Sequence, residues 1–195
     1  FDRVKESNSK ILTIGFIGRI RYYNQIKMLL ETVDEINKRN NKLTYSVLIA
    51  GVGPESDKLL NDLKKFNFID YYGAYNYDKE IAEIYSKVDI VYSVYDSSNL
   101  NVRVAIPNRL YEAIVSERPI IVAKDTKLAE FVIENKIGFA VNSDNNQDLR
   151  ELLTGIYLGK VDLNEIKSHC KRIKDDYYID SYQEKLIEMY KSIVK

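Results

Sequence analysis

The sequence is short of the residues that build covalent or metal-held scaffolds. It has one cysteine, Cys170, one histidine, the adjacent His169, and three prolines. A lone thiol excludes an internal disulfide framework, and one Cys with one His cannot assemble a four-ligand zinc set. A reducing compartment is expected. Net charge is missing too, because 29 Lys and Arg balance 29 Asp and Glu. No overall field draws the chain to nucleic acid or to an anionic membrane, so an anion site must be built locally. No apolar run approaches the roughly 20 residues that span a bilayer, and the opening FDRVKESNSK has no apolar signal-peptide core. A cytoplasmic protein is expected, with a peripheral place at the inner membrane left open for a full-length form. The start at Phe1, without an initiator Met, is read as a fragment of something longer. Ser/Gly-rich linkers, internal repeats and low-complexity segments are also missing.

What is present suffices for one well-buried domain: 45% apolar and 30% charged residues in a chain of 195. Short β-branched runs alternate with helical spacing. Ile11 to Ile17 predicts a strand, the spacing Ile26, Leu29, Leu30, Val33, Ile36 a helix, and Tyr45 to Ala50 a second strand. Further strands are expected near Ile69 to Tyr72, Asp89 to Val94, Pro119 to Ala123 and Gly138 to Val141. Helices are expected around Leu59 to Phe66, Ile81 to Tyr85, Pro107 to Ser116 and Leu128 to Ile133. Six strands joined by five crossovers predict an α/β fold with a parallel, doubly wound, Rossmann-like sheet. From Asn146 on only helical spacing remains, ending in Leu186, Ile187, Tyr190, Ile193 and Val194, so a tail of two or three helices closes the chain.

In such a sheet ligands bind at the carboxyl ends of the strands, where glycine turns and helix N-termini offer free N–H groups to anions. Three loops qualify. Gly15-Phe16-Ile17-Gly18-Arg19-Ile20-Arg21 leaves the first strand with two cations just beyond its glycines. Gly51-Val52-Gly53-Pro54 follows the second strand and enters a helix. Neither is a dinucleotide fingerprint, since Ser56 stands where the last glycine of G-x-G-x-x-G would be, and no Walker A sequence occurs. The third loop, Tyr95 to Ile106, is long and polar and feeds a helix Pro107-Asn108-Arg109-Leu110-Tyr111-Glu112-Ala113. Arg109 sits in the first turn, where the helix dipole would favour an acid, and that placement calls for an anion. Glu112, one turn on from Asn108, can accept two hydrogen bonds from a vicinal diol such as ribose.

Four of these segments, in order and at matching spacing, resemble the donor-binding domain of GT-B-fold, family-4 (group 1) glycosyltransferases over roughly Ile11 to Ile156. Ile17-Gly18-Arg19-Ile20 resembles that family's Gly-Arg-hydrophobic turn, and Leu48 to Pro54 its G-x-G-P loop. Asp70-Tyr71-Tyr72-Gly73 resembles the strand before the base-holding loop, and Ala105 to Ala113 with Arg118 to Ile121 the P-x-K-x-x-E helix and following strand. The resemblance implies that Arg19 stabilises the donor diphosphate, that Glu112 binds ribose, and that backbone at Ala74 and Tyr75 holds the base. Gly18, Arg21, Gly51, Gly53, Asn108 and Arg109 complete the implied donor site, with no metal and no cofactor beyond the nucleotide sugar itself, a UDP-sugar preferred. Two departures occur. The family's E-x7-E pattern would need an acid where Val104 stands, and the lysine after the Gly-Arg turn is replaced by Asn24, with Arg21 or Lys27 as substitutes. Such departures look most like capsule and O-antigen transferases.

By the same resemblance residues 1–10 are a linker from a missing N-terminal acceptor domain, 11–156 the α/β core, and 157–195 terminal helices that cover apolar surface on that domain. The implied chemistry is retaining sugar transfer to a glycan or lipid-linked acceptor, which this chain alone is expected not to perform. Self-association of the isolated chain is open. So are plainer readings: turn glycines, His169 and Cys170 in core or surface, and tyrosines such as Tyr71, Tyr72, Tyr177 and Tyr178 in packing rather than in the site. A sugar-nucleotide epimerase of the same fold and a noncatalytic nucleotide-binding or interaction module are the alternative functions.

Overall fold

The computed structural model describes residues 11–177 and 179–193, the side chains of 179–182, 184 and 185 excepted. The expected linker and Val194 lie outside these residues. The chain runs β1 (Leu12–Ile17), α1 (Tyr23–Arg39), β2 (Tyr45–Ala50), α2 (Ser56–Leu63), β3 (Ile69–Gly73), α3 (Tyr77–Ser86) and β4 (Ile90–Ser93). It continues through α4 (Leu100–Val104), α5 (Asn108–Val115), β5 (Ile120–Ala123), α6 (Lys127–Glu134) and β6 (Gly138–Val141). The tail is α7 (Gln147–Tyr157), α8 (Leu163–Ile173), a short 3-10 turn and α9 (Ile179–Ile193), as its helical spacing predicts. All six strands pair in parallel in the order β3-β2-β1-β4-β5-β6.

The inner strands are mostly apolar because the sheet is covered on both faces there, whereas the edge strand β3 carries the exposed Asp70. Successive side chains then feed opposite layers. Ile14, Phe16, Val47, Ile49 and Tyr92 join one core with Leu29 and Val33 of α1 and Leu149 and Leu153 of α7. Ile17, Leu48, Val91 and Val122 join the other with Leu110 and Ile114 of α5, Val132 of α6 and Cys170 of α8. Full burial of each such aliphatic side chain contributes about 1.5–3 kcal/mol. Helix α1, after β1, and helix α5, on the crossover from β4 to β5, thus lie on opposite faces. Between those two adjacent strands the sheet changes winding direction, and a crevice opens at their carboxyl ends.

One element departs from the sequence reading. The loop after β4, expected to be irregular, contains α4, capped by the Asn99 side chain, which accepts the Asn101 N–H at 2.9 Å. Leu100 and Val104 face solvent, at 71% and 59% exposure, so no core-facing period announces it. Cys170 is wholly buried and its thiol is pushed up to about 12 by burial, in keeping with a packing residue. Among the described residues no helix is long and apolar enough to cross a membrane.

Candidate functional site

The first two loops are built against each other, backbone to backbone. The Gly18 N–H donates to the Ala50 carbonyl at 2.8 Å, the Gly51 N–H to that of Gly73 at 2.6 Å, and the Ile20 N–H to that of Val52 at 3.3 Å. Gly51 has a φ of +129°, and a Cβ there would lie 2.0 Å from the Gly18 carbonyl oxygen. One on Gly53 would lie 2.1 Å from the Ile20 oxygen. These two glycines therefore have a packing cause: they let two chain turns touch. Gly18, φ +127°, admits a side chain instead, since its Cβ would fall 2.2 Å from Nη2 of Arg109.

Arg109 is the most unusual side chain of the site. It is only 7% exposed, its guanidinium lies 4.8 Å over the Phe16 ring and 5.4 Å from the Tyr95 ring, and its Nη1 is buried with no hydrogen-bond partner. An orphaned buried donor costs about 1–3 kcal/mol, more when charged, so the position invites an acceptor from outside the protein. It opens on a cleft of about 370 Å³ shared with Arg19, Arg21, Tyr22, Ser93, Tyr95 and Thr126. Pro107 precedes α5, and no side chain caps the helix, so its dipole adds to the positive field there. A second cleft of about 490 Å³ adjoins the first and is bordered by Gly18, Arg19, Gly51, Gly53, Ala74 and Tyr75. Arg19 borders both. Two clefts with cations at the seam can hold an elongated ligand with an anionic centre.

Eight of the ten residues expected at the site, Gly18, Arg19, Arg21, Gly51, Gly53, Ala74, Tyr75 and Arg109, thus meet at the strand ends. Asn108 and Glu112 border neither cleft. Each Glu112 oxygen already accepts a tyrosine hydroxyl, from Tyr77 and from Tyr85, both at 2.8 Å. Burial and then the Glu112 charge hold Tyr85 well above its ordinary value, while burial with the Glu112 hydrogen bond pushes Tyr77 up to about 12. Both phenols stay protonated donors. Replacing Glu112 with Ala is expected to cost about 1–3 kcal/mol of folding stability by orphaning the buried Tyr85 hydroxyl. Adding Tyr85→Phe should restore most of it, as urea denaturation of the single and double variants would read.

Sequence reasoning passed over Ser93, which is 1% exposed, borders the first cleft and has a buried Oγ without a partner. It also passed over Tyr22 and Tyr95, whose rings lie 5.2 Å apart on the cleft wall. Their places directly after Arg21 and after β4 were the available signal. Among the described residues the other orphaned group, the guanidinium of Arg118, lies at the opposite end of the sheet, where burial draws its pKa down.

Residues 11–157, some three quarters of the chain, match the family described as glycosyl transferases group 1. The chain belongs to that family. Among characterised relatives of this group 1 member is the succinoglycan biosynthesis protein ExoL of Rhizobium meliloti (strain 1021), 25% identical over 143 residues, which are 72% of this chain and 34% of ExoL. Similar solved structures include the GtfA/B complex (TM-score 0.72, 16% identity, 96% of this chain and 37% of that one). Anabaena HepE in complex with UDP and glucose is another (TM-score 0.69, 16% identity, 94% and 49%). A third is TarM of S. aureus in complex with fondaparinux, alpha-GlcNAc-glycerol and UDP (TM-score 0.65, 20% identity, 97% and 38%). At these identities the likeness is one of fold, and it is the fold that the sequence resemblance implies. This chain spans about a third to a half of the length of these relatives.

Proposed function

We propose that this chain is the donor-binding half of a two-domain glycosyltransferase, acting on a nucleotide sugar in surface polysaccharide synthesis. The observation that carries this is the buried Arg109 with its unpartnered Nη1, which borders the first cleft together with Arg19 and lies against Gly18 of the second. The nucleoside occupies the cleft at Gly53, Ala74 and Tyr75, the diphosphate lies between Arg19 and Arg109, and the sugar enters the cleft by Tyr95. Glu112 reaches the ribose with the lone pairs its two tyrosines leave free, a carboxylate having about four acceptor sites. When the glycosidic phosphate bond breaks, negative charge grows on the departing diphosphate. Fixed guanidinium groups and the uncapped α5 terminus are already oriented to stabilise it, so no metal is called for. UDP in the complexes of HepE and TarM supports a nucleoside diphosphate here.

The acceptor and the remaining catalytic groups come from the other half, a reading that the open clefts support. The apolar residues of α9, with Leu186, Tyr190 and Ile193 at 51%, 60% and 70% exposure, suit a surface that covers that half or a second copy of the isolated chain. An epimerase would carry ionisable acids and bases around the sugar, and the sugar-side cleft is bordered by no Asp, Glu, His or Lys. Isothermal titration with the common nucleoside diphosphates tests the proposal. UDP is expected to bind tightest, with a Kd of about 0.1–1 mM for half a cleft. No heat with any of them at several millimolar would end the proposal.

A further inference from the structure

We propose that the sugar on the donor carries a negative charge of its own, a carboxylate such as that of a hexuronate, held by Arg21 and the Ser93 hydroxyl. The inference rests on the donor-binding role above and adds the class of sugar. It starts from a charge count. A sugar nucleotide's diphosphate carries about two negative charges, and two guanidinium groups match them, Arg19 on both clefts and Arg109 on the first, against Gly18. Three guanidinium groups border the sugar-side cleft, one more than the diphosphate's charges match, and of these Arg21 is exposed and, among the described residues, makes no ion pair or hydrogen bond. It is a cation left over on the side where the sugar lies.

The polar character of the cleft points the same way. Hexose hydroxyls both donate and accept, and sites that fix them offer acceptors as well as donors. Here the ionisable groups around the sugar are three arginines and the two tyrosines Tyr22 and Tyr95, with no carboxylate among them. Val104, the residue at which the family pattern would place an acid, is apolar and 59% exposed. On the floor the Ser93 Oγ is buried, unpartnered and free to donate. Three guanidinium groups with no carboxylate among them leave the cleft an excess of positive charge, which fits an ionised carboxylate, a group that only accepts. Tyr22 and Tyr95 supply the apolar wall for the sugar ring.

The test is a titration of the chain with UDP-glucuronate, UDP-glucose and UDP at 0.15 M salt, where the Debye length of about 8 Å suppresses long-range attraction. Should guanosine diphosphate bind tighter than UDP, GDP-mannuronate and GDP-mannose take their place. The uronate is expected to bind at least about tenfold tighter than the neutral sugar, the effect of one charge-assisted contact. In Arg21→Gln, which alters an exposed side chain, the two should differ by no more than about twofold. Equal binding of the two sugars by a chain that binds UDP would overturn the proposal and leave the donor site standing. So would a preference that Arg21→Gln keeps. A chain that binds no nucleoside diphosphate would remove the donor site first, and the sugar with it.

Discussion

Arg109→Met is expected to fold more stably than the parent and to bind UDP about thirtyfold more weakly, two changes of opposite sign from one substitution. Methionine keeps an apolar stem about as far as the arginine Nε and removes the charge, together with the Cζ that faces Phe16 and Tyr95. In the unliganded chain that charge gains a cation–π attraction of about 0.5–2 kcal/mol from the two rings. Against it stand desolvation of a guanidinium only 7% exposed and the orphaned Nη1, together costing several kcal/mol in the usual range for buried ions. The cost exceeds the gain, so removal should raise the urea midpoint. With ligand present the balance reverses, because a charge-assisted hydrogen bond contributes about 1.5–3 kcal/mol. Denaturation curves with and without UDP read both effects. A variant less stable than the parent with unchanged UDP affinity would make Arg109 a structural residue.

Gly51→Ala should be the most damaging single-methyl change in the molecule, lowering stability by about 4 kcal/mol and the melting temperature by about 10 °C. Two causes coincide. The backbone there has a φ of +129°, which side-chain-bearing residues rarely adopt, and the new methyl would sit 2.0 Å from the Gly18 carbonyl oxygen. Backbone cannot step aside as a side chain can, so both turns must move and the seam between the clefts moves with them. Gly155 is the control. It lies in α7 with only a Val161 methyl at 3.5 Å from its added Cβ, and Gly155→Ala should be neutral or stabilising by up to about 1 kcal/mol. A calorimetric scan in which Gly51→Ala melts within a degree or two of the parent would show that the two turns do not need their close contact.

The parts of the fold that could be read in the sequence are those governed by burial. Ile14, Phe16 and Ile17, or Ile120 to Ala123, are apolar at every position because both faces of their strands are covered, and that leaves a run in any sequence. Helix α4 left no run, since Leu100 and Val104 pack on nothing that would impose a period. At the site, residue type and loop position pointed to Gly18, Arg19, Gly51 and Arg109, yet not to what each touches. A glycine in a sequence states that a Cβ is absent, not whether a phosphate, a carbonyl or an arginine fills the space. For Gly18 it is an arginine 91 positions away, and for Gly51 a carbonyl 33 away. Glu112 likewise looked free because Tyr77 and Tyr85 are 35 and 27 residues distant, and only the packing of α3 beside α5 brings their hydroxyls to it. Ser93 was hidden inside an apolar strand, where a small hydroxyl passes for filler.

The wholly buried Cys170 makes the molecule its own clock. A thiol-specific reagent needs a thiolate in contact with solvent, and the folded chain offers neither accessibility nor a proton released at ordinary pH. With no second sulfhydryl to compete, every labelling event records one opening, local or global, that exposes the core under α8, without any engineered reporter. The labelling rate would separate a ligand that tightens the whole domain from one that grips only the strand ends, because the sulfur lies near Arg118 and Ile137, at the far edge from the clefts.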